Sequence, residues 1–162
     1  MTTLTYLEEH LPAKKAHAII DYASQRNCTI RVTRPRKTKL GDFRQLGKNQ
    51  SISVNKNTNS FRFLLTLIHE LAHLETFILH KNQVKPHGKE WKANFKKLYN
   101  YFELDDEFSV DVSILNVVRQ ELENPKACSG INVNLERAFA KYDEEQGDFL
   151  DQLSEGDFFM FR

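Results

Sequence analysis

The chain has 162 residues, 19.0 kDa, a formal net charge of +1, 40% apolar residues and twelve phenylalanines, enough for one hydrophobic core plus an extension. Its two cysteines, Cys28 and Cys128, have no Cys-x-x-Cys spacing, which excludes a disulfide framework and a cysteine-built structural zinc site and suits a reducing compartment. The N-terminus lacks the basic and apolar regions of a signal peptide, and the longest apolar run, Phe63 to Ile68 broken by Thr66, is far short of a membrane span, so a cytoplasmic protein without a membrane partner is expected.

Pro12 opens a predicted helix that runs to about Arg26, with Ala16, Ile19, Ile20 and Ala23 inward. His10 and His17 belong to this region, have no motif around them, and are expected to face solvent. Residues 29–33 alternate Ile30 and Val32 with polar neighbours and read as a strand. Gly41 and Gly47 punctuate a loop or hairpin before a further strand, Ile52 to Val54. Residues 55–60 are turn chemistry, and Asn59 or Ser60 is the expected N-cap of the next element.

Phe61, Leu64, Leu65, Ile68, Leu71, Ala72, Ile78 and Leu79 recur at three- and four-residue spacing, which predicts a helix over residues 60–80. Inside it stands His69-Glu70-Leu71-Ala72-His73. Helical residues four apart differ by about 40° in azimuth and roughly 6 Å in height, so two imidazoles can address one small cation from the same face. The glutamate between them projects beside that face, where it can take a proton from a metal-bound water. Arg62, Thr66, Phe77 and His80 are expected to share the histidine face, away from the apolar stripe. The plain alternative is two surface histidines on an amphipathic helix.

A catalytic zinc usually takes three protein ligands and keeps one position open. His80 lies about 10 Å along the axis from His73, too far to share an ion. His87 follows a polar stretch ending in Pro86 and precedes Gly88, a place where the chain turns back and can return a side chain to the metal. Glu90 is the rival ligand; its ordinary role would be an acidic residue in the first turn of a helix. That helix is predicted from Gly88 to Tyr101, with Trp91, Phe95, Leu98 and Tyr99 on one side. Residues 110–122 read as another helix, 135–142 as a short acidic-edged one, and 149–161 as a strand-rich tail. Strands before the metal helix and helices after it point to an α+β, zincin-like fold, a small sheet packed on the metal-binding helix.

The run His69–His73 followed by Pro86-His87-Gly88-Lys89-Glu90-Trp91-Lys92, and preceded by Thr38-Lys39-Leu40-Gly41-Asp42-Phe43-Arg44 and Ile52-Ser53-Val54-Asn55, resembles the SprT-like family of zinc metallopeptidases, whose eukaryotic relatives include the Spartan proteases. The resemblance covers residues 28–99. It implies Zn²⁺ held by His69, His73 and His87, and Glu70 as catalytic acid/base. It also implies a polypeptide substrate, with DNA-crosslinked proteins as the class and DNA as activator. Many members carry a cysteine-rich ribbon after the catalytic domain, which two lone cysteines cannot build. Residues 1–124 are accordingly expected to form the metalloprotease domain and 125–162 an extension. Its apolar end, Phe158 to Phe161, has no following strand to pair with, as in a fragment of a longer protein.

The small net charge hides an asymmetry: residues 1–100 hold 18 Lys/Arg against 7 Asp/Glu, and residues 101–162 hold 5 against 15. Mutual attraction of the two halves is one reading. The other is a nucleic-acid footprint in which Arg34, Arg36, Lys37, Lys39 and Arg44 before the metal helix, and Lys85 and Lys89 after it, meet phosphates. The expected activity is peptide hydrolysis by activated water with Glu70 as general base, an exposed sheet edge at Ser51 to Asn55 aligning an extended substrate. The alternative is a zinc-bearing module that binds nucleic acid or protein without turnover.

Overall fold

Asn59 starts the longest helix of the chain by turning its side-chain oxygen onto the Arg62 N–H at 2.9 Å. This cap satisfies one orphan donor of helix α3 (Ser60–His80), whose bounds are those the apolar spacing predicts. The computed structural model describes residues 2–56, 58–126, 132–143, 152 and 154. Before α3 come α1 (Thr3–Glu8), α2 (Ala13–Ser24), β1 (Cys28–Thr33), β2 (Gly41–Leu46) and β3 (Asn49–Asn55). After it come α4 (Lys89–Tyr101), α5 (Asp105–Phe108), α6 (Val112–Glu123) and α7 (Val133–Ala140). The fold is α+β. The short helices α1 and α5 are additions to the sequence expectation; one or two turns carry too little periodicity to announce themselves. Among the described residues no helix is long and apolar enough to cross a membrane. The expected strand-rich tail and Cys128 lie outside the described residues, apart from positions 152 and 154.

The sheet has the order β1-β3-β2, with β1 parallel and β2 antiparallel to β3. Leu46 pairs with Asn49 across a two-residue turn whose first position is Gly47 at φ +62°, the place glycine takes in a II′ hairpin. The expected substrate edge is corrected by this order. Ser51 pairs with Thr29 on one side and Arg44 on the other, so the backbone of β3 is consumed by its neighbours and the edges belong to β1 and β2.

Helix α3 is covered on most sides. Leu67, Ile68, Leu71 and Leu74 are fully buried in one core with Ile52 and Val54 of β3 and Trp91, Phe95 and Leu98 of α4. Each such side chain contributes about 1.5–3 kcal/mol of transfer free energy, which holds the helix rigidly against both layers. Leu135, Ala138 and Phe139 of α7 belong to that core, and Phe139 stacks on Phe61 with ring centroids 6.3 Å apart.

Three orientations differ from expectation. Helical spacing puts Arg62 and Phe77 on the open histidine face, yet both are less than a tenth exposed. Arg62 is drawn in by Glu136 and by Asp143 at 3.1 Å, and Phe77 packs on Phe43 of β2. His10 does not face solvent; its Nδ1 lies 2.7 Å from Ser60 Oγ and its ring packs on Tyr6 and Phe63. His17 is exposed as expected, 3.4 Å from Glu8.

Candidate metal centre

The helical spacing of His69 and His73 brings their Nε2 atoms to 3.2 Å, and His87 completes a triangle with Nε2 at 3.1 Å from the first and 2.9 Å from the second. The third imidazole arrives through an unusual backbone. Beyond His80 the chain reverses, the Gly88 N–H bonds back to the Lys85 carbonyl at 2.9 Å, and His87 sits at φ +57°. A bulky residue seldom adopts this left-handed region, and such strain concentrates at functional sites. Among the described residues these three histidines are the group able to hold a metal ion. Glu90, the rival, lies in the first turn of α4 with Lys89 3.8 Å away, outside the triangle, and His80 is outside it too.

Burial, followed by the neighbouring imidazoles, pulls His69 down to about 3; burial and then His87 pull His73 to about 4. Burial lowers His87 as well. All three rings are neutral at pH 7. Each neutral Nε2 carries either one N–H or one lone pair, so three of them in a triangle cannot all be matched as donor and acceptor. A cation removes the conflict. Tetrahedral nitrogen ligands about 2.0–2.1 Å from a zinc ion stand roughly 3.3 Å apart, close to the edges found here. The donor set therefore fits a divalent ion of that kind.

Trp91 forms the floor of the triangle. Its fully buried indole has ring centroids 4.6, 5.5 and 4.7 Å from those of His69, His73 and His87, and its Nε1 donates to the His69 carbonyl at 3.4 Å. From the sequence this residue reads as an apolar position of α4 and a member of the motif that carries the family resemblance, with no role at the metal assigned to it.

Glu70 is 7% exposed, and its carboxyl is pushed up to about 8, first by burial and second by the charge of Asp42. Arg36, Lys39 and a hydrogen bond with the Phe43 backbone act the other way. The carboxylate fits because β2 opposes it with Gly41. A Cβ there would stand 2.5 Å from Glu70 Oε1 and 2.8 Å from both Glu70 Cγ and Thr66 Cγ2. Asn55 delivers this glycine: it is almost fully buried, its Nδ2 donates to the Arg36 and Lys39 carbonyls, and its N–H donates to Leu40 O at 2.9 Å. Neither Gly41 nor Asn55 carries chemistry that sequence inspection would single out.

The basic residues divide. Arg36 turns inward, donating to Asn55 Oδ1 at 2.8 Å and Ser53 Oγ at 3.0 Å, so it staples the loop rather than standing free for phosphate. Lys39 and Arg44 both engage Asp42, at 2.7 and 2.5 Å. Arg34, Lys37, Lys85 and Lys89 are exposed.

A model of the SprT-like family matches residues 13–113, well over half of the chain and wider at both ends than the motif resemblance. The chain belongs to the SprT-like family. All three histidines, Glu70, Gly41 and Trp91 lie inside the matched SprT-like region, whereas α7 lies beyond it. No curated protein and no solved structure gives a significant match.

Proposed function

We propose that the protein is a zinc-dependent endopeptidase. The observation that carries this reading is the convergence of three neutral imidazoles beside a buried, helix-borne carboxylate one residue from the first of them. His69, His73 and His87 would hold the ion. When bound, zinc supplies Lewis acidity that acidifies water and polarises a carbonyl. Glu70 accepts the proton of the attacking water and passes it to the leaving amine, a role suited to a carboxyl whose affinity for protons is raised by burial. A cation nearby opposes that burial effect and favours the ionised, proton-accepting form. The edge of β2, unpaired among the described residues and beginning at Gly41 against Glu70, aligns an extended polypeptide by strand addition.

Glu70→Gln keeps the imidazoles and removes the base. It retains zinc and loses cleavage of casein by at least 10²-fold, whereas His73→Ala loses both; zinc is measured by elemental analysis and cleavage by gel. Full proteolysis by Glu70→Gln would refute the assignment. Zinc retention with no cleavage by the unaltered protein would favour the second reading, a binding module without turnover. DNA-associated or DNA-crosslinked proteins are the substrate class that the family relation suggests, with exposed Arg34, Lys37, Lys85 and Lys89 as phosphate contacts. Single-stranded DNA is then retained at low salt and released as salt rises; negligible retention at low salt rejects the contact.

A further inference from the structure

A cavity of about 260 Å³ opens beside His69 and Glu70 and extends two helical turns toward the start of α3, as far as Arg62. Its apolar lining comes from Leu40, Leu65, Phe95, Pro125, Leu135 and Phe139. The volume falls just below the range of about 300–1,000 Å³ common for small-molecule sites, so it admits one large side chain with room to spare.

The charged groups on its wall are mostly engaged elsewhere. Arg62 is held by Glu136 and Asp143, and Lys39 by Asp42. Glu121 accepts from the Lys126 N–H and from Asn132 Nδ2, both at 2.5 Å. Two groups remain: Lys126, itself exposed, and the Glu70 carboxyl at the end that the cavity shares with the histidine triangle. What the cavity offers a guest is apolar surface. Its outer wall is also anchored, because Asn59 Nδ2 donates to the Phe139 carbonyl at 2.9 Å and to Asp143 at 2.6 Å, tying α7 to the first turn of α3.

We infer that this cavity is the subsite for one apolar side chain of the substrate, that of a residue flanking the scissile bond, so that bonds beside Leu, Met or Phe are cleaved in preference to bonds beside Gly, Asp or Lys. The inference rests on the endopeptidase reading and adds its substrate class. Continuity is the reason: His69 and Glu70 are themselves among the residues that line the cavity. In an extended peptide the next residue is only about 3.3 Å further along. Discrimination in an apolar pocket is on the order of 10–200-fold per side chain.

The test uses three hydroxamates that differ only in the side chain next to the chelating group: isobutyl, methyl and carboxymethyl. Affinities for the zinc-loaded protein are measured by calorimetry, and cleavage sites in a mixed peptide pool are read by mass spectrometry. Isobutyl binds at least tenfold tighter than methyl, and carboxymethyl binds weakest. Leu40→Trp, a half-buried position on the cavity wall, reduces the isobutyl preference to twofold or less with zinc content unchanged. Leu65→Ala enlarges the cavity and shifts the preference to a phenylpropyl side chain. Equal affinities for the three, or a preference untouched by both variants, overturns the subsite. Selective binding without any peptide cleavage overturns the endopeptidase and leaves the subsite standing; cleavage with no residue preference does the reverse.

Discussion

Gly41→Ala adds one methyl group at the point where β2 passes over Glu70, the proposed general base. That carbon would meet Glu70 Oε1 at 2.5 Å and Glu70 Cγ and Thr66 Cγ2 at 2.8 Å, whereas carbon atoms pack at about 3.5–4.0 Å. Relief takes a displacement of roughly 1 Å. Oε1 can swing aside at the end of its side chain, but Thr66 Cγ2 and Glu70 Cγ sit close to the α3 backbone, so β2 or the carboxylate must move. Overpacking of this kind costs about 1–3 kcal/mol, a fall in Tm of roughly 2–12 °C for a chain of this size. A 1 Å misplacement of a catalytic group costs on the order of 10²-fold in rate. Calorimetry, casein cleavage and zinc analysis read the three quantities together: lower Tm, rate down about 10²-fold, zinc retained. Gly47→Ala is the contrast. A Cβ there meets nothing within 4 Å, but φ is +62°, so it loses stability by strain at the turn and keeps its rate and its zinc. A Gly41→Ala protein with wild-type rate and Tm, or one that loses its zinc, would show that the close approach does not position Glu70.

Burial around the triangle governs both its tryptophan and its response to pH. Trp91 is the sole tryptophan and touches all three imidazoles, so zinc added to metal-free protein changes its emission. Trp91→Phe weakens zinc binding by about 10–100-fold, as loss of a supporting contact typically does; unchanged affinity in a competition titration would reduce the indole to core filling. The metal-free protein has a stability optimum near pH 6.5, seen in urea melts. His69 and His73 have folded values of about 3 and 4, below their ordinary 6.5, so the unfolded chain binds more protons and stability falls as pH drops from 6.5 toward 4. Glu70 is raised from 4.5 to about 8, so its contribution is complete below 4.5 and is lost as pH climbs to 8, by up to about 1.4 kcal/mol per unit. Glu70→Gln removes the alkaline limb and keeps the acid one. An alkaline limb of equal slope in that variant would assign it to another group.

The 21-residue span of α3, its Asn59 cap and the shared face of His69 and His73 were legible because they are local: periodicity, cap chemistry and the four-residue rise need no knowledge of the rest of the chain. His87 over Glu90 was legible only in part, from the turn at Pro86 and Gly88 and from the family resemblance, because spacing alone leaves both open. Both sit in the same turn region, and the decision lies in a backbone at φ +57° that aims one imidazole at two others from a second helix. Nor could spacing show that β3 is central and β2 the edge, since strand order is a matter of which nonlocal partner wins each row of backbone groups. Arg62 departs from its pattern for a related reason: its position on the helix wheel points outward, but two carboxylates from residues 136 and 143 cover it. Gly41, with no side chain to carry a pattern, gains its meaning only from what stands opposite. What is local in the chain sets the face that His69 and His73 share and puts Glu70 beside it. The tertiary structure decided what closes around them, because side chains distant along the chain set burial, charge and free space together.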